Sequence, residues 1–337
     1  MKKILLTGGA GFVGRHFVSR FLKQGYEVHC VDPIVPLTGG IAPESGWPLF
    51  DPRDFSNFKF YKEDCREFFK INKDEDFDYA FHLAAMVGGR EMIDFNPLAV
   101  AEDLSIDSEY WQWAKATKPK KTICFSSSAA YPVKFQRRER HILLKEDLID
   151  FGDDIGMPDM TYGWAKLTHE YLARVAYEKY GLESVTYRPF SGYGEDQDMA
   201  YPFPSICKRV LENFGQKQIT VWGTGEQMRD FIHIEDCVEG VLTTMDKVKD
   251  GSAINLSTGI LTSFKEFAKR AASIAGFETE VIGTSNKPEG VFARGGDTTL
   301  QEQLGFKYKT SFDDGIRLAL DYFQKEGNDD QKNCLMI

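Results

Sequence analysis

Thr7-Gly8-Gly9-Ala10-Gly11-Phe12-Val13-Gly14 is the stretch whose reading decides the fold. An apolar run at residues 3–6 precedes it, and residues 14–24 follow with Phe17, Val18, Phe21 and Leu22 at helical spacing. A G-x-x-G-x-x-G pattern gains meaning from a strand before it and a helix after it. In that setting Gly8 permits the tight turn and Gly11 lets backbone approach a pyrophosphate at the helix N-terminus. Gly14 allows close helix–strand packing.

Working outward, the strand–helix alternation continues through the first half. Residues 27–31, 78–83, 121–126 and 184–187 read as strands, and 98–115 and 162–180 as helices. This predicts βαβ units and an α/β fold: a Rossmann-type, doubly wound parallel sheet. The second half is more broken, with short strands at 219–222 and 230–233 and helical stripes at 234–245, 263–274 and 311–323. The expected division is a cofactor domain over 1–189, joined by 234–258, and a smaller C-terminal α/β substrate lobe over 190–233 and 259–325. A loose tail is expected at 326–337.

Asp32 closes the second strand, 18 residues after Gly14. A carboxylate there bonds both ribose hydroxyls and repels a 2′-phosphate, so the expected cofactor is NAD rather than NADP. Arg15 is expected to face the pyrophosphate or solvent. Asp64 and Cys65 follow the third strand, where Asp64 is either an adenine contact or a turn residue.

The 337 residues include 41 Lys+Arg against 51 Asp+Glu, a net charge of −10. Such an acidic chain is not expected to bind nucleic acid or an anionic membrane non-specifically. No apolar run approaches the ~20 residues of a membrane span. Six scattered cysteines without a C-x-x-C pair read as reduced thiols of a cytoplasmic protein, and the six histidines show no metal-ligand spacing. Cys334-Leu335-Met336-Ile337 fits a prenylation pattern but is read as an ordinary terminus.

Tyr162-Gly163-Trp164-Ala165-Lys166 places a phenol and an ammonium on one helical face. A neighbouring cation lowers a phenol's pKa, making Tyr162 a candidate base. Ser126-Ser127-Ser128 ends a strand, where a sheet's carboxyl edge presents hydroxyls to ligands.

With these motifs in order, the chain resembles the extended short-chain dehydrogenase/reductases of the NAD-dependent epimerase/dehydratase family, which act on nucleotide sugars. Further matches are Phe81-His82-Leu83-Ala84-Ala85, Tyr131-Pro132, Tyr187-Arg188-Pro189, Trp222-Gly223-Thr224-Gly225…Arg229-Asp230 and Asn255-Leu256-Ser257-Thr258-Gly259. Val87-Gly88-Gly89 and Pro288-Glu289-Gly290-Val291…Arg294 point to the GDP-sugar branch, which includes GDP-mannose 3,5-epimerase and GDP-fucose synthase. The resemblance implies that Ser127 bonds the sugar O4, with Ser126 and Ser128 as register alternatives, and that Tyr162 takes the C4 hydroxyl proton. Lys166 would hold the nicotinamide ribose. NAD would be contacted by Gly8, Gly11, Phe12, Val13, Gly14, Asp32, Asp64, Cys65, Leu83, Ala84, Ala85, Lys166 and Pro189. Ser128, Ser191, Arg229 and Arg294 would bind substrate, the arginines clamping its diphosphate. A homodimer through residues 98–115 and 162–180 is implied, and Trp111 and Trp113 are read as core packing or as its apolar seam.

Departures matter as much. Ala129 stands where dehydratases and 3,5-epimerases of the family carry a Glu or Cys that deprotonates C5 or C3. The lysine that would partner such a cysteine is missing from Asp198-Met199-Ala200-Tyr201. Ser191 and Asp103 each replace a common asparagine. The expected activity is therefore a nucleotide-sugar epimerase working through a 4-keto intermediate. Its alternatives are a C4 dehydrogenase or reductase and a non-catalytic NAD-binding scaffold.

Overall fold

The computed structural model describes residues 1–35, 38–86, 90–284 and 289–334, with 91 and 326–334 described as backbone only. Val87-Gly88-Gly89 and Pro288 therefore lie outside the described residues. Seven parallel strands form the large sheet: β1 (Lys3–Thr7), β2 (Glu27–Val31), β3 (Phe58–Tyr61), β4 (Tyr79–His82), β5 (Lys121–Phe125), β6 (Ser184–Pro189) and β7 (Asp250–Leu256). Their order is β7-β6-β5-β4-β1-β2-β3. Ile4, Leu5 and Leu6 are fully buried, because a parallel sheet is covered on both faces and its strands read as unbroken apolar runs.

The helix Phe12–Lys23 covers one face with Ile234–Thr244, through Phe17, Phe21, Val238 and Val241. The helix Asp103–Thr117 and the long helix Met160–Tyr180 cover the other. The strand order reverses between β1 and β4, and a doubly wound sheet opens its ligand crevice at that reversal.

A smaller five-stranded sheet holds Ser191–Tyr193, Met228–His233, Ala293–Gly296 and Leu143–Leu144, with Leu261–Ser263 antiparallel to Met228–His233. Leu143–Leu144 reaches it from within residues 1–189, a crossing that the sequence reading did not foresee. The helices Pro202–Glu212, Phe264–Ile274 and Phe312–Cys334 enclose a second core.

Two expectations change and one pair of alternatives is decided. The helix expected at 98–115 is broken into Pro97–Val100 and Asp103–Thr117. At the break, Asp103 turns inward and accepts the Met86 N–H. The final helix extends to Cys334, into the segment expected to be a loose tail. Trp111 and Trp113 are buried in their own core, so neither is free to form a dimer seam; Trp113 stacks on Phe69 and donates to Asn72 O. Leu98, Leu104, Trp164 and Tyr171 are among the exposed apolar residues of these helices.

Candidate active site

The glycine turn sits at the strand reversal. Gly8 has a φ of +73°, and a Cβ there would lie 2.7 Å from Ala84 N, so the turn between β1 and the helix packs directly on the chain leaving β4. A Cβ on Gly14 would lie 2.4 Å from Gly8 O, so Gly14 packs against the turn itself. Gly11 caps the helix by backbone alone, and the first turn holds no acidic residue. That N-terminus therefore keeps donors and dipole for an anion, which fits a dinucleotide pyrophosphate. The Asp32 carboxylate accepts the N–H groups of Ala10 and Ile34 at 3.1 and 2.8 Å, tying the end of β2 to the turn. Burial raises its pKa, against the lowering effect of those bonds.

Tyr162 and Lys166 share the inner face of the long helix, with the ammonium 5.7 Å from the phenol ring centre. Gly163 between them is required, since a Cβ there would lie 2.4 Å from Ala129 O. Of the three serines, Ser127 interacts with the phenol, and its hydroxyl also accepts the Ala129 N–H at 3.1 Å. Ser126 is spent on Glu170, which pairs with Arg188. Ser128 is buried within the turn. The sequence reading had Lys166 lowering the phenol's pKa, and it does pull that way. Burial nevertheless outweighs it, and Asp103 opposes it too, so the phenol stands above its ordinary value.

Beneath this pair lies a buried ionic cluster. Asp103 Oδ2 is 3.8 Å from Lys166 Nζ. One helical turn on, Asp107 Oδ1 lies 3.1 Å from both His82 Nε2 and His169 Nδ1. Thr7 Oγ1 meets His82 Nδ1 at 2.8 Å. Burial alone would lower His169, but Asp107 raises it to about 10, so it pairs as an imidazolium; burial lowers His82 to about 4. His82, Asp107 and His169 stand close enough to hold a metal ion, and one carboxylate between an imidazolium and a neutral imidazole accounts for the arrangement. Sequence spacing could not reveal this trio, because its members come from β4 and two different helices.

The second cluster is cationic. Parallel pairing of Met228–His233 with Ala293–Gly296 sets Arg229 level with Arg294. Arg294 bonds Asp159 at 2.8 Å and Gln136 at 2.6 Å, and Arg90 bonds the same Asp159 at 2.9 Å. Arg90 also pairs with Asp94. Arg229 has no carboxylate partner among the described ion pairs; it bonds Met228 O and lies 5.6 Å over Phe264. Burial, reinforced by Arg294, lowers it to about 9. Such a guanidinium is placed for an incoming anion. Arg90, Asp159 and Gln136 were missed by the sequence reading, because no motif marks them and pairing with the distant Arg294 gives them their place.

The remaining expected residues divide. Leu83, Ala84 and Ala85 leave β4 at the crevice, and Pro189 and Ser191 flank the end of β6. Phe12 packs edge-on against His16, and Val13 packs against the core beneath the turn. Asp64 caps the helix Cys65–Ile71 and pairs with Arg66, while Cys65 is buried, so the turn role is the one its contacts show. Arg15 does not face solvent. It is buried and bonds Ala10 O, Gly39 O and Asp196. Tyr131 donates to Asn255 and accepts from Arg188 in the core, and Asp230 binds Ser257, Thr258 and Gly259, so these motif residues hold the framework.

The family model of the NAD dependent epimerase/dehydratase family matches residues 4–257. Over 340 residues the chain is 25% identical to the GDP-L-colitose synthase of Yersinia pseudotuberculosis, covering 97% of this chain and 100% of that protein. It is also 25% identical to GDP-mannose 3,5-epimerase 1 of Oryza sativa subsp. indica, covering 96% and 82%. The UDP-glucose 4-epimerase of Thermotoga maritima, solved with UDP-glucose, superposes with a TM-score of 0.80 at 25% identity, covering 96% and 99%. No helix among the described residues is long and apolar enough to cross a membrane. With a family model spanning most of the chain and the turn, Tyr162 and Lys166 assembled at one crevice, this protein belongs to the NAD-dependent epimerase/dehydratase family of enzymes acting on nucleotide sugars.

Proposed function

We propose that this enzyme epimerises a nucleotide sugar at C4 by transient oxidation to the 4-keto sugar. The observation that carries the reading is a contrast within one turn of chain. Ser127 meets Tyr162 beside Lys166, whereas Ala129, where a C3 or C5 base would stand, presents only a buried methyl group. Its carbonyl is occupied by the Asp159 N–H at 2.9 Å.

NAD, when bound, supplies the hydride acceptor and donor. Ser127 bonds the C4 oxygen, Tyr162 takes its proton and later returns it, and Lys166 fixes the nicotinamide ribose. Arg229 and Arg294 hold the diphosphate while the sugar turns its other face. Asp32 favours NAD over NADP by occupying the place of a 2′-phosphate. The names of the sequence relatives favour a GDP-sugar.

Incubation with GDP-, UDP- and dTDP-hexoses in D₂O tests the reading, followed by NMR of the sugar protons. Inversion at C4 with C3, C4 and C5 all still protiated is expected, since the hydrogen travels through the cofactor. Deuterium at C3 or C5 would reveal an unrecognised base and defeat the proposal. Accumulating NADH without inversion would replace it with a net C4 dehydrogenase.

A further inference from the structure

We propose that Asp103 is a positioning residue: its carboxylate, buried against the Lys166 ammonium, cancels part of that charge and sets the pH range in which the Tyr162 phenol can release its proton. The inference rests on the reading of Tyr162 as the base and deepens it.

Geometry carries the argument. Asp103 and Lys166 are 1% and 5% exposed, and Oδ2 lies 3.8 Å from Nζ. Oδ1 is held by the Met86 N–H, while Oδ2 is buried with no hydrogen-bond partner. The interruption between Pro97–Val100 and Asp103–Thr117 brings the carboxylate to this place. An asparagine, common here in the family pattern, would offer a neutral dipole where this chain places a charge.

The other groups facing the pair nearly cancel. From Asp103's own helix, Asp107 is answered by the His169 imidazolium of the Tyr162 helix, with neutral His82 of β4 on its far side. Arg294, from the smaller sheet, is answered by Asp159. Cys124 of β5 faces Lys166, while Ser127 and Tyr201 face the phenol. Asp103 is thus the carboxylate left to offset Lys166. Both charges act on Tyr162, with Lys166 favouring the phenolate and Asp103 opposing it. Burial pushes Asp103 itself up to about 6, against the pull of Lys166, so it is ionised at neutral pH.

The test compares wild type with Asp103→Asn, which keeps size and the Met86 contact but removes the charge. Tyrosine labelled with ¹³C at Cζ is titrated by NMR, and the Tyr162 resonance is assigned by its loss in Tyr162→Phe. The Tyr162 midpoint should move to lower pH in Asp103→Asn, and the acid limb of the pH–rate profile should move with it. An unmoved or raised midpoint would overturn the proposal; a purely structural role for Asp103 predicts no such directed shift. Asp103→Ser gives the same comparison should the asparagine variant not fold. A moved midpoint with an unmoved rate profile would sustain the action of Asp103 on the phenol and remove Tyr162 from the role of base.

Discussion

Two charged clusters lie on either side of Tyr162, and their balances differ. Beneath the phenol, Lys166 and the His169 imidazolium are matched by Asp103 and Asp107. Toward the smaller sheet, Arg90, Arg229 and Arg294 meet only Asp94 and Asp159 among their described ion-pair partners. A balanced buried cluster can stay dry, because each charge has a partner that offsets its desolvation cost. An unbalanced one is costly until an anion arrives. The difference fits the roles proposed above: a proton tuned at the first cluster, a diphosphate held at the second.

The comparison breaks first at Tyr162. Tyr162→Phe removes the proposed proton acceptor and leaves both clusters in place. Turnover at C4 should fall ~10²–10⁴-fold, the usual contribution of a positioned acid–base group, with NAD binding retained. Steady-state rates and NAD titration read the two effects separately. A wild-type rate in the variant would move the base elsewhere.

Arg229→Met probes the unbalanced side. A charge-assisted hydrogen bond is worth about 1.5–3 kcal/mol, so KM should rise ~10–100-fold with kcat much less affected. Removing one cation from an under-compensated cluster should also leave the melting temperature unchanged or raised. A lower melting temperature with unchanged KM would mean that Arg229 serves the fold.

The smallest effect concerns a third charged cluster, outside both. Arg15, His16 and Arg20 of the helix Phe12–Lys23 reach Asp196, Glu235 and Glu239 in the following half. Burial alone would lower His16, but Asp196 and Glu235 raise it to about 9 from 6.5. The folded state therefore binds this proton more tightly than the unfolded chain. The stabilisation is complete below pH ~6.5 and fades as pH rises through ~9. With Glu235 half exposed, its worth is about 1–2 kcal/mol. Thermal unfolding at pH 6 and 9.5 should show this loss in wild type and a flatter dependence in His16→Gln. Equal slopes would assign the alkaline loss to other groups.

How much was legible from the sequence follows the same division. The glycine turn and Tyr162…Lys166 could be read because backbone geometry within a few residues already marks them. Gly8 needs its positive φ wherever the turn sits, and residues i and i+4 share a helical face in any helix. Core packing and a seam could not be told apart for Trp111 and Trp113, because both demand apolar side chains; the burial of both, with Trp113 against Phe69 and Asn72, assigns them to the core.

The sequence by itself determined the parallel sheet, the cofactor turn, the Tyr–Lys pair and the methyl group at Ala129. Tertiary structure alone decided which serine meets the phenol and how charge is distributed around it. Ser126, Ser127 and Ser128 have equivalent chemistry until Glu170 claims the first and the turn buries the third. Arg90, Asp159 and Arg294 are 69 and 135 residues apart along the chain, yet two bonds under 3 Å join them. Charges interact through space, and the chain distance between them carries no information about that field.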